Sequence, residues 1–290
     1  MENITVSNNP YRIPSGKMRI INFSGGRSSG YMLYKILEAH GGTLPLNAKV
    51  IFTNTGKERP ETLRFITNCS IHFAVPIMWL EWCYYPNAKG GVRDPKYGYR
   101  RVNWISASKR GEPFRKMIET QGMVPNVVMR RCTQELKIRT VQRYCFRELG
   151  LRKSDYVNVL GIRADEPHRV GRTLYKHCAV EYPLVVSNVV ESDVMSFWAG
   201  RPFDLGITSD QGNCDLCFLK GRKLLTQLVG KNPDSVTWWM QQERTLKKKD
   251  GSYGTFNKRY TYTDIRDDAA GGVRVNVNAD SKQLSCFCGD

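Results

Sequence analysis

The sequence predicts an α/β fold: a doubly wound, mostly parallel sheet, followed by a largely helical C-terminal extension that carries cysteines. Three observations predict it. Short aliphatic runs alternate with segments of near-3.6-residue apolar spacing from residue 17 to about 190, the cadence of βαβ units. The turns after the first, second and fourth runs are rich in glycine, hydroxyl and charged residues, and in an open parallel sheet such turns share one crevice. Beyond residue 190 the strand-like runs stop and helical spacing takes over.

An arm, residues 1–16, precedes the first strand. It carries no apolar stretch of the signal-peptide kind, and no run in the chain approaches a membrane span, so a cytoplasmic protein without membrane association is expected. Residues 17–190 form the expected nucleotide-binding α/β domain. Its strands read "MRIINF" (18–23), "AKVIFTN" (48–54), "IMWLEW" (77–82), "YVNVLGI" (156–162) and a weaker "EYPLVV" (181–186). Its helices read "SGYMLYKILEAH", "RPETLRFITNCSIHF" and "TQELKIRTVQRYCFREL".

Residues 84–112 interrupt the alternation. They are aromatic, basic and punctuated by Gly and Pro, with too little aliphatic content for a core element, and read as a long functional or mobile loop. Tyr84, Tyr85, Tyr97, Tyr99, Arg100, Arg101 and Trp104 interleave rings and cations there. That pattern suits a nucleic-acid or lid surface, and equally an ordinary surface loop. In residues 191–290, "SDVMSFWAGRPFDLGI", "KLLTQLVGKNP" and "SVTWWMQQERTLKKK" read as helices, and the stretch from Thr261 to the C-terminus as irregular. Trp238 and Trp239 are expected to pack in a core.

The net charge is +17, from 44 Lys and Arg against 27 Asp and Glu. Such an excess favours a polyanionic partner, nucleic acid or a multiply phosphorylated small molecule. The stretch "MRIINFSGGRSSGYMLYKIL" then offers a place for one. A strand that breaks into glycines and restarts as a helix presents open amides and a favourable dipole to an anion. It lacks both the Lys-Ser/Thr ending of a Walker loop and the G-x-G-x-x-G spacing. The plainer reading makes Ser24 or Ser28 a helix cap and Thr55 a turn former.

Nine cysteines in a chain without a secretion signal do not suggest a disulfide framework. Cys214 and Cys217 form a C-x-x-C, Cys286 and Cys288 a C-x-C, and Cys132 follows two arginines and precedes Thr133, an expected N-cap. A thiol at a helix start beside cations is suited to be a ligand or a nucleophile. Three chemistries compete: a [4Fe–4S] cluster on Cys132, Cys214, Cys217 and one of Cys286 or Cys288, a zinc ion on the same ligands, or a redox thiol pair. The metal readings lead, iron–sulfur before zinc. Cys69, Cys83, Cys145 and Cys178 stand singly, and Cys145 shares an apolar stripe with Leu136, Val141 and Leu149. None of the four histidines has ligand spacing.

As an ordered set these motifs resemble a known family. "SGGRSS" is similar to the S-G-G-x-D-S phosphate loop of the PP-loop ATP pyrophosphatases, in the adenine nucleotide alpha-hydrolase superfamily. "VIFTNTGKERPETLRFI", "RRCTQELKIR", "LGIRADEPHR" and "GNCDLCFLKGR" resemble the phosphoadenosine phosphosulfate (PAPS) reductase family, in its divergent phage-type branch. The resemblance implies that Ser24, Gly25, Gly26, Ser28 and Ser29 cradle the phosphates of PAPS or ATP, with Arg27 nearby. It implies that Asn54, Thr55, Gly56, Lys57 and Glu58 lie beside the adenosine, and that Lys137, Arg163 and Arg169 neutralise sulfate or phosphate. Asp165 and Glu166 would orient those arginines or hold magnesium. With Cys132, the residues Lys137, Arg163, Asp165 and Glu166 form the expected catalytic set of a reductase-like oxidoreductase or sulfurtransferase. Its relatives include enzymes acting on DNA or tRNA, and homodimers are common among them.

Two departures matter. Ser28 stands where the pyrophosphatases carry Asp, and the terminal "CFCGD" replaces the E-C-G-x-H tail of the reductases. The competing reading is therefore a non-catalytic nucleotide- or nucleic-acid-binding module with a structural zinc.

Overall fold

Runs such as "AKVIFTN", apolar on both sides of the pleat, are stable only when both faces of their sheet are covered. In the computed structural model, which describes residues 9–91, 95–171, 178–208, 211–246, 251 and 254–272, they pair into one six-stranded sheet. Its strands are β1 (Met18–Asn22), β2 (Ala48–Asn54), β3 (Ile77–Tyr84), β4 (Tyr97–Val102), β5 (Tyr156–Leu160) and β6 (Ala179–Glu181). The spatial order is β4-β3-β2-β1-β5-β6, and every pairing is parallel except β3 with β4. The chain builds outward from β1 through β3, then returns to the other side of β1 to place β5. The order thus reverses between β1 and β5, where open α/β sheets leave a crevice beyond the strand ends.

Side chains alternate across the pleat, and two clusters cover the two faces. Ile21, Phe23, Phe52 and Trp79 pack under α1 (Arg27–Ala39) and α2 (Pro60–His72). A third helix of the chain, α3 (Glu112–Gln121), lies beyond β4 in sequence. Ile20, Ile51 and Leu80 face the opposite side and meet Val141, Tyr144 and Cys145. Those three residues lie on α4 (Thr140–Leu149), which continues a π-helical segment (Cys132–Arg139). After a short α5 (Pro183–Val186), α6 (Glu191–Ala199) packs Val194 and Trp198 back onto the α1–α2 face.

The last helices are α7 (Arg222–Lys231), α8 (Thr237–Thr245) and α9 (Tyr262–Ala270). They enclose a separate aromatic cluster with α3, built around Trp239, Phe218, Phe256 and Tyr262. The Trp239 and Tyr262 rings stack with centroids 5.1 Å apart. Among the described residues no helix is long and apolar enough to cross a membrane.

Four expectations change. Residues 181–186 are not a strand: β6 ends at Glu181 and Pro183 opens α5, since proline lacks the donor a ladder needs and fits a first helical turn. The 84–112 loop contains β4, whose aromatic and arginine side chains suit an edge strand with one wet border. The irregular terminal stretch contains α9, started by a capping box between Thr261 and Asp264. Thr133 is not an N-cap. It lies inside the π-helical segment, whose flanking residue is Arg131.

Candidate functional site

Five pieces of chain meet beyond the carboxyl ends of β1, β2 and β5. The first is the glycine loop. Gly26, in extended conformation, precedes α1, and no side chain caps the helix, so neither Ser24 nor Ser28 is the cap. Ser24 Oγ accepts the Gly26 amide at 3.4 Å, just ahead of the helix. Gly25 adopts φ +85°, and a Cβ there would stand 2.7 Å from Thr62 Cγ2, so glycine lets α2 close against the loop. Ser24 Oγ and Ser29 Oγ lie 3.0 Å apart, and Ser29 Oγ donates to the Gly26 carbonyl.

Arg27, expected near the phosphates, also ties the glycine loop to a distant carboxylate. Its Nε and Nη2 donate to the two Asp204 oxygens at 2.7 and 2.5 Å, and Nη2 also donates to the Ile207 carbonyl. Burial alone would raise the Asp204 carboxyl. Hydrogen bonds from Arg27 and from the Leu205 and Gly206 amides outweigh it and hold the group below the ordinary carboxylate value.

The second piece is the turn after β5. A Cβ on Gly161 would lie 3.0 Å from Ser29 Cα, so this glycine brings the turn onto the glycine loop. Arg163 Nη1 donates to the buried Ser28 Oγ at 3.1 Å and Nε to Asp165 Oδ1 at 2.9 Å. Glu166 pairs with Arg169 and accepts the Arg163 amide. Both carboxylates therefore hold arginines. Arg169 is 4% exposed and lines the cleft, and its Nε has no hydrogen-bond partner among the described residues.

The third piece is the turn after β2. Asn54 Nδ2 donates to Glu81 Oε1 at 2.6 Å and to the Ser108 carbonyl, while its Oδ1 accepts the Gly56 amide. Thr55 donates its amide and hydroxyl to Glu58. The fourth piece, residues 213–217, is stitched onto this turn. Glu58 and Cys214 form an antiparallel bridge, Asn213 Nδ2 donates to the Ser24 carbonyl, and Lys57 Nζ pairs with Asp215 Oδ2 at 2.6 Å. Lys57 also sits 4.8 Å from the Trp238 ring centroid.

The π-helical segment is the fifth piece and forms one wall. Thr133, Lys137 and Ile138 line the cleft opposite Asn22, Ser24 and Arg169. Lys137 Nζ lies 3.7 Å from Glu58 Oε1. The space enclosed between these residues is about 70 Å3, below the ~300–1,000 Å3 of typical small-molecule sites, so a larger ligand would extend out through the open mouth.

The cysteines divide by environment. Cys69 and Cys145 are fully buried, and burial pushes the Cys145 thiol up to about 12. Cys214 and Cys217 are buried and Cys132 partly buried against the same aromatic cluster. The Cys214 thiol reaches Glu58 Oε1 at 4.0 Å. Among the described residues no three His, Cys, Asp or Glu side chains converge where a metal ion could be held. Cys286 and Cys288 lie outside the described residues.

Sequence reasoning missed Glu81, a fully buried carboxylate that also accepts from Arg100 Nε and from the Ser108 amide and hydroxyl. Its signal was a single acid inside the apolar run of β3. Asn213 and Asp215 were missed as well, because their partners lie far away in sequence. The sequence matches no protein-family profile. It is 28% identical over 254 residues to the Uncharacterized nin region protein ORF290 of Escherichia phage lambda, an alignment covering 86% of this chain and 77% of that protein.

Proposed function

We propose that the protein is a PAPS-reductase-like enzyme that binds an adenine nucleotide, PAPS or ATP, on a PP-loop and carries out sulfur transfer or reduction. One observation carries the reading. At the order reversal of the sheet, Ser24 of the glycine loop, Lys137 and the buried Arg169 line one cleft, close in sequence to the start of α1. An anion there would gain charge-assisted hydrogen bonds at little cost in reorganisation. We read the sheet, covered on both faces, as doubly wound and residues 24–29 as its phosphate loop.

Each group then has a task. Arg163 stands against Ser28, and Asp165 and Glu166 keep both arginines of the turn in place. Arg27 serves the loop indirectly, by tying α1 to Asp204. Cys132 opens the segment that delivers Lys137 to the cleft wall, which makes it the thiol we assign to sulfur chemistry. The described thiols do not form a ready ligand set. A [4Fe–4S] or zinc site on Cys132, Cys214 and Cys217 would need a fourth ligand from the tail.

The test is calorimetric titration of the purified protein with PAPS and with ATP, followed by a sulfite assay with PAPS and a dithiol reductant. Tight PAPS binding with sulfite release supports reduction. Binding without turnover of either nucleotide, together with one zinc per chain, would replace this reading by the binding module that Ser28 favours. Iron and labile-sulfide analysis after anaerobic purification decides between the metals.

A further inference from the structure

The aromatic and basic border of the sheet lies outside the cleft and has no task in the chemistry above. β4 is the last strand on its side, so one edge of its backbone is without a strand partner among the described residues. Arginines on such an edge discourage pairing with another strand, but that role explains neither the exposed rings nor their arrangement.

The rings are built in. Tyr85, 41% exposed, lies across Gly98, where a Cβ would stand 2.5 Å from Tyr85 Cε2. Two residues along the same face, Arg100 keeps a half-exposed side chain while Glu81 and Ser108 hold its guanidinium. Next to Ser108, Lys109 Nζ sits 4.7 Å from the ring centroid of Trp104, which is 39% exposed, and Ile105 beside it is 87% exposed. Ring, guanidinium, ring and ammonium therefore follow one another along the border. In sequence, residues 84–116 hold nine Lys or Arg against two acids.

We propose that this border is a docking platform for a single-stranded nucleic acid. Exposed rings give unpaired bases a stacking surface, and the cations between them follow the phosphates. A duplex would hide its base faces from the rings, and a protein strand would gain nothing from the charge. Glu81 also holds Asn54, so a bound strand would lie beside the turn that borders the cleft. The proposal rests on the nucleotide chemistry above only for its purpose, an acceptor next to the site.

Fluorescence anisotropy of the full-length protein with fluorescein-labelled single strands of about 20 nucleotides, DNA and RNA in parallel, tests it. Wild type should bind both alike at about 50 mM salt and weaken steeply as salt rises. Trp104→Ala should lose about tenfold in affinity, and Lys109→Ala should lower the salt slope by about one. Both changes are on the surface, so unchanged melting and unchanged nucleotide titration are expected. Failure of the wild type to bind either strand would overturn the proposal, as would full affinity in the double variant. So would a dimer in sedimentation that the double variant abolishes, which would make the border a contact between two copies. Nucleotide binding without strand binding sinks only this proposal, and the reverse result sinks only the enzymatic reading.

Discussion

The sheet and the C-terminal helices use their interiors differently. Beneath α7, α8 and α9 the buried residues are mostly rings and aliphatics, stacked around Trp239 and Phe256. At the carboxyl edge of the sheet, Ser28, Asn54, Glu58, Glu81, Arg163 and Arg169 are all buried polar residues: Ser28 meets Arg163 and Asn54 meets Glu81, while Glu58 holds Thr55 and Arg169 holds Glu166. Burying so many polar groups is costly unless each is satisfied, so an ordinary sheet edge would not collect them. The contrast teaches where to look for chemistry: one region is built to cohere, the other to hold charge in place.

The largest effect should come from the cohesive region. Trp239 is 1% exposed and donates Nε1 to Asp215. Trp239→Ala should cost about 3–5 kcal/mol in chemical denaturation. A loss under 1 kcal/mol would deny that this cluster is a tightly packed core.

At the sheet edge function should suffer along with stability. Arg169→Ala removes a buried guanidinium and strands its partner Glu166, so about 3 kcal/mol of stability should be lost. Nucleotide affinity should fall about 10- to 100-fold, read by calorimetry. Loss of stability with unchanged affinity would erase the contrast.

One carboxylate in the C-terminal region sharpens it further. Burial raises Glu243 to about 7, against the Tyr262 and Phe256 amides that hold it down. Its folded value lies above the unfolded one, so its contribution is complete below about pH 4.5 and is lost as pH rises through about 7. Between pH 5 and 8, wild type should lose on the order of 2 kcal/mol relative to Glu243→Gln. Parallel pH curves for the two proteins would refute the shift.

The smallest effect concerns a helix end. Thr261→Ala removes the cap that accepts the Asp264 amide and should cost about 1 kcal/mol. Amide hydrogen exchange should then rise in α9 and leave the sheet unchanged.

The strands β1, β2, β3 and β5 and the helices α1 and α2 were legible in the sequence, because their apolar periodicity is a local property that burial enforces. So was the gathering of turns at one edge, since parallel pairing places them there. β4 was hidden because an edge strand needs few aliphatic residues. α9 was hidden although its capping box stands in plain view, since short polar helices take their stability from packing. The sequence by itself determined which segments could pair and which turns could meet. Only the tertiary structure decided that Arg27 answers Asp204, that Asn213 and Asp215 bind turns more than 150 residues away, and that Glu81 joins Asn54 to Arg100. The physical reason is that periodicity records which residues leave water. The choice of partner for a buried charge depends on geometry that exists only after the chain has folded.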